Sequence, residues 1–266
     1  MLRKLVKYDL RSLSPVLLII HIPFLLLIPA ARFLGAERLL TLQRPDALAI
    51  MVLILYFVYA SFISLATEIY IAVFVYRNWF SREGYLTMTL PVTPAVQIGS
   101  KMLAAFLWYL ADCILLVFSL WTLASAPGMD AFFGGQQALV LDCFAFWNPH
   151  TLGFYLMLTS VTGVFSGIAL VLAVLCAGHC FSSHRVLTSV VLYFCITLVI
   201  QLLAGVAAFI FSFRYAPLLD EEAISSRLLV QVFGTPLLVL AAAGTVGGIL
   251  CLVFSHYVLS RRLNLD

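Results

Sequence analysis

The chain has 266 residues, of which 64% are hydrophobic and only 10% charged, where a soluble domain carries about 25% charged residues. Its mean hydropathy of +1.10 excludes a soluble core of this size and makes lipid the solvent. The net charge is only +3, too small and too scattered to point to nucleic acid.

Backbone groups in lipid must be satisfied within the segment, so only helices or a closed barrel cross it. The apolar runs here are continuous rather than alternating, which excludes the barrel. The expected fold is therefore all-α: a polytopic membrane protein forming a single transmembrane domain over residues 1–266. It has six spans at about 15–35, 47–76, 102–126, 152–178, 187–213 and 228–258, each near or above the roughly 20 residues a helical span needs.

The chain opens MLRKLVKYDLRSLSP. Leu2, Leu5, Val6, Leu10 and Leu13 recur at helical spacing, and Arg3, Lys4, Lys7 and Arg11 take the other face. This predicts an amphipathic interfacial helix over 1–14, its basic face toward anionic headgroups. Pro15 is expected to mark the turn into the first span, because proline disfavours helix at the residue before it. The charges are dispersed and no small-residue cleavage site is clear, so the first span reads as retained rather than as a signal peptide.

Between the second and third spans lies a polar island, residues 77–101, RNWFSREGYLTMTLPVTPAVQIGSK. Arg77, Trp79 and Phe80 form a basic and aromatic interface anchor. Ser81 can cap a short helix carrying Glu83, Tyr85 and Leu86; Pro91 and Pro94 then break regular structure, and Lys101 opens the third span. A short helix held at both ends by spans would pass any force applied to it to both of them.

Ten of the fifteen Lys and Arg lie on the side of the N-terminus, this island, the 179–186 loop and the tail, and most loop acids lie on the other. The positive-inside bias thus puts both termini in the cytoplasm.

The phrase EGYLTMTLPVTPAVQIGSK, with the six-span layout and the basic N-terminus, resembles the permease subunits of ABC-2 type ATP-binding cassette transporters, in particular small six-span ones from Gram-positive bacteria. The resemblance implies a place in a bacterial cytoplasmic membrane. It implies that the connector is a coupling helix docking in a groove of a separate ATPase, with Arg82, Glu83, Gly84, Tyr85 and Leu86 as contacts and Glu83 as the polar anchor. It further implies two ATPase subunits that bind ATP and Mg, and a second permease half, identical or sister. The alternative for the segment is an ordinary solvated loop.

Two ionisable groups fall within spans, each costing about 2.5–3.5 kcal/mol on insertion scales. Glu68 lies nine residues before Arg77 and Asp112 eleven after Lys101, so both sit at similar depth in antiparallel spans. Ser61, Ser64 and Glu68 share a stripe at i, i+3, i+7, expected to face protein or water. These four residues are candidates for a translocation path or a cationic substrate; the competing reading is hydrogen-bonded acids locking helices, with Tyr, Ser or Gln201 as partner.

In the fourth span Gly163 and Gly167, and in the sixth Gly244 and Gly248, form G-x-x-x-G pairs that allow close helix packing. The outer loop 127–150 is aromatic, suited to an interfacial segment. Of six cysteines only Cys143 sits in an outer loop, so no disulfide framework is expected. Cys176, His179, Cys180 and His184 match no standard zinc spacing, and no metal site is assigned.

No G-x-x-x-x-G-K-[ST], H-E-x-x-H or G-x-S-x-G occurs, so the chain lacks a P-loop and recognisable hydrolase chemistry. The leading expectation is a non-enzymatic transmembrane subunit of an exporter of amphipathic or hydrophobic cargo, with no cofactor of its own. The alternative is a self-contained membrane protein, such as an ion-driven carrier or an immunity or sensor protein.

Overall fold

A computed structural model of the chain describes residues 1–41, 46–81, 84, 92–181, 184–221 and 226–261. Among these the fold is all-helical, with no strand. The elements are α1 (Leu2–Ala30), α2 (Glu37–Thr41), α3 (Ala47–Phe80), α4 (Pro94–Ala124), α5 (Met129–Phe132), α6 (Gln137–Asp142), α7 (Leu152–His179), α8 (Arg185–Glu221) and α9 (Ser226–Arg261). Six segments are long and apolar enough to cross a membrane: α1 with its continuation to Leu39, α3, α4, α7, α8 and α9.

The N-terminal segment is not a separate helix. α1 runs unbroken from Leu2 through Pro15, Pro23 and Pro29. All three prolines lie on its exposed side, as does Arg11, whose carbonyl loses its partner to Pro15. A carbonyl freed near a water-facing end can be solvated, so the usual break does not follow. The leucine face of residues 5–13 turns inward and the basic residues stay exposed, so the amphipathic pattern is the first turns of the span itself.

Beyond Ala30 the helix widens into a π turn, Ala31–Ala36. Gly35 there lies against Leu53 and Ala49 of α3, so close that an added Cβ would stand 2.9 Å from the Leu53 side chain. Asp46 begins α3 by accepting a hydrogen bond from the Leu48 amide at 3.1 Å, an ordinary N-cap. Pro94, whose missing N–H costs nothing at a first turn, begins α4. The third span therefore starts eight residues before the sequence boundary of 102, and Lys101 lies two turns inside it rather than opening it.

The buried stripe of α1 reads Asp9, Leu13, Leu17, His21, Phe24, Ile28, spacings of three and four that trace one helical seam. It packs on α3 and α4. At the end bearing Leu2 and Arg261, a core of Leu13, Leu17, Ile71, Phe74, Trp79, Ile98, Met102, Leu172 and Leu259 joins α1, α3, α4, α7 and α9. At the distal end Phe24, Ile28, Tyr56, Ile63 and Leu123 make a second core within α1, α3 and α4.

α7 and α9 form a parallel pair. Gly244 meets Ser166, and Gly248 lies so near Phe165 that a Cβ would stand 2.7 Å from its ring and 3.2 Å from the Ser166 Cα. Gly163 and Gly167 do not join this contact; a Cβ on either meets nothing within 4 Å. α8 leans on α7 at its start, where Gly178 leaves room for Ser189 and the Arg185 carbonyl. Ser189 is the one residue of α8 buried among those described.

Candidate functional site: a polar seam between α1 and α4

Three polar clasps run along the α1–α4 interface. Lys101 Nζ donates to Asp9 Oδ1 at 2.5 Å. His21 Nε2 lies 2.5 Å from Asp112 Oδ1. Arg32 Nη1 donates to the Thr122 carbonyl and to Ser125 Oγ, both at 3.1 Å, while its Nε reaches Glu37 at 3.3 Å. Residue numbers rise together on both helices, so the pair is parallel. The steps of twelve and eleven residues along α1 and its π turn are matched by eleven and ten on α4. At about 1.5 Å per residue, the clasps recur roughly every 16 Å, spanning the length of a bilayer core.

α3 runs antiparallel beside them. Its Phe74 ring lies 4.5 Å below Lys101 Nζ, a cation–π contact. Tyr56 shares a hydrogen bond with Ser119 at 2.7 Å, and Tyr59 donates to the Ile20 carbonyl at 2.9 Å. Phe24 stacks on both tyrosine rings.

The two intramembrane carboxyls part company. Asp112 is 2% exposed and pairs with His21, a partner outside the Tyr, Ser and Gln set expected from sequence. His21 escaped notice because a lone histidine in an apolar run reads as core filling; its position twelve residues after Asp9 on the buried seam was the available signal. Glu68 is half-buried and accepts a hydrogen bond from the Tyr193 hydroxyl of α8. Tyr109 of α4 lies within electrostatic reach of Glu68, Tyr193 and Asp112.

Along the serine stripe, exposure rises from the half-buried Glu68 and Ser64 to Ser61. Ser61 is exposed on the outer face and folds its hydroxyl back to the Phe57 carbonyl at 2.9 Å, satisfying itself within its own helix. Ser64 is half-buried.

Of the five candidate connector contacts, Arg82, Glu83, Tyr85 and Leu86 lie outside the described residues. Gly84 is buried; its N–H donates to the Ser81 carbonyl at 2.8 Å, and a Cβ there would collide with the Trp79 backbone. The connector's two roots are firmly set. Trp79 is 1% exposed and Lys101 5%, and both belong to or border the core at the terminal end.

The cysteine–histidine group at 176–184 is otherwise engaged. Cys180 Sγ donates to the Cys176 carbonyl at 3.5 Å. His179 stacks on Phe80 with ring centres 4.4 Å apart and meets Arg185 at 3.4 Å. Among the described residues, no group of three or more His, Cys, Asp or Glu is placed to hold a metal ion.

The chain matches no protein-family model, no curated protein and no solved structure at a similarity that establishes kinship.

Proposed function

We propose that this chain is the transmembrane subunit of an ATP-driven exporter of the ABC-2 kind. It sits in a bacterial cytoplasmic membrane with both termini inside, and two separate ATPase subunits that carry ATP and Mg power it. A second permease half completes the path, and the cargo is amphipathic or hydrophobic. One observation carries the reading: the EGYLTMTLPVTP phrase stands in a connector between two immobilised roots, Trp79 and Lys101. A segment so mounted transmits force to α3 and α4 together, and through the Lys101–Asp9 clasp to α1. Closure of the ATPases would draw the connectors of two halves together and rock the bundles.

The direct experiment is purification in detergent with a search for a co-eluting ATPase, followed by crosslinking from Glu83→Cys into that partner. Vesicles containing this chain alone that carried cargo at full rate would overturn the reading. A second reading, a self-contained ion-driven carrier, draws on Glu68 and Asp112, both within electrostatic reach of Tyr109; transport that follows a proton gradient with no ATPase present would favour it.

A further inference from the structure

We infer that His21 and Asp112 form a proton-binding site at the centre of the α1–α4 interface, holding one proton between Nε2 and Oδ1. The argument is a count of hydrogens. His21 Nδ1 lies 2.6 Å from the Leu17 carbonyl oxygen. A carbonyl only accepts, so Nδ1 carries a hydrogen. A neutral imidazole has no second hydrogen, and its bare Nε2 would then face a carboxylate oxygen 2.5 Å away. Two lone pairs cannot meet at that distance. One further proton must lie between them, written either as imidazolium with carboxylate or as imidazole with carboxylic acid. Either form leaves the pair neutral overall.

The surroundings demand the same neutrality. Asp112 Oδ2 is buried with no hydrogen-bond partner among the described residues, as is Trp108 Nε1 one turn earlier on α4. The Trp108 ring lies 5.4 Å from that of His21. The titratable neighbours are Tyr109 and Cys113 on α4, Glu68 and Tyr59 on α3 and Tyr193 on α8, none of them a cation. Along the seam Lys101 and Arg32 are each eleven residues away, roughly 16 Å, and engaged elsewhere. Without the bridging proton, Asp112 would be an uncompensated buried charge, which is strongly destabilising. The proton thus bolts the first span to the third, independently of what the protein transports.

The test is a proton count at neutral pH on the wild-type chain in lipid nanodiscs. Histidine-selective nitrogen labelling reads both ring nitrogens by NMR, with His21 assigned through its contact to the Trp108 ring. Infrared spectroscopy reads the carboxylic-acid carbonyl band, assigned to Asp112 by its loss in Asp112→Asn. Support is a protonated Nδ1 together with either an imidazolium-type Nε2 or the Asp112 acid band. A neutral imidazole with no such band, one proton fewer, would overturn the inference, as would a bare Nδ1. In Asp112→Asn the amide N–H can donate to Nε2, so the clasp should survive with Nε2 bare; Asp112→Val should lower Tm by several degrees.

Discussion

Lys101 and Asp9 meet at 2.5 Å, with side chains only 5% and 9% exposed, two turns inside α4 from its start at Pro94. Asp9 Oδ2 has no partner of its own among the described residues, so the carboxylate leans on Lys101 alone. Removing one member strands a buried charge, which costs about 3–5 kcal/mol, whereas replacing both by apolar residues of similar volume is often neutral. Lys101→Met and Asp9→Leu should each sharply lower stability in detergent unfolding. The double variant should recover most of the loss. A loss in the double variant equal to the sum of the two single losses would show that the pair is not coupled.

The six spans were legible because lipid imposes a length and a composition that no soluble helix needs. The seam was not, because pairing between parallel spans leaves no local signature. Asp9, His21 and Arg32 look like a headgroup charge, a core histidine and a loop charge when read singly. Only the matched spacing against Lys101, Asp112 and Thr122 reveals the register. Pro15 misled for a different reason: the carbonyl it frees lies near the water-facing end of the span, where it can be solvated without breaking the helix. Which way the stripe from Ser61 to Glu68 faces was not legible, because a serine hydroxyl can satisfy itself on its own helix, so its polarity does not fix its direction.

The glycine pairs divide into one in use within the chain and one open. A side chain at Gly248 would meet Phe165 and Ser166, whereas one at Gly163 meets nothing. Gly248→Val should cost about 1–3 kcal/mol through overpacking and loosen α7 from α9. Gly163→Val should leave the unfolding of the isolated chain unchanged. A reversed order in thermal unfolding would mean that the α7–α9 packing is misassigned.

Gly84 is a test of the connector that leaves the bundle alone. A methyl group there collides with the Trp79 backbone, which cannot swing aside as a flexible side chain would. Gly84→Ala should therefore shift the connector while the six spans stay intact. Under the exporter reading, detergent-purified Gly84→Ala keeps wild-type helicity by circular dichroism and loses most of its co-purifying ATPase. Full retention of the ATPase would separate Gly84 from docking.

Glu68 and Tyr193 join α3 to α8, the helix with least other support. Glu68→Gln keeps an amide oxygen to accept from the tyrosine hydroxyl, so folding should be preserved. It removes the ionisable group, so under the exporter reading cargo transport should fall. Glu68→Ala should do both kinds of damage, losing the tether as well. Normal export by Glu68→Gln would take the carboxyl out of the mechanism and leave it a structural tie.

Cys143 and Cys180 report which way the bundle faces. Cys143 lies in the segment between α6 and α7, and Cys180 closes α7 at the terminal end. With both termini inside, a membrane-impermeant maleimide added to intact cells should label a variant retaining only Cys143 and spare one retaining only Cys180. Opening the cells should expose Cys180, which is the more exposed of the two. The Cys143 thiol is pushed above its ordinary range by burial and then by the neighbouring Asp142 charge. Maleimide reacts with the thiolate, and a raised pKa means less thiolate at neutral pH. Cys143 labelling should therefore run slower than that of a free cysteine at pH 7 and keep accelerating as pH rises past the ordinary thiol value of about 8.5. A Cys143→Ser control removes the signal. Labelling of Cys180 first, in sealed cells, would invert the topology and place the 77–101 connector outside the reach of any cytoplasmic ATPase.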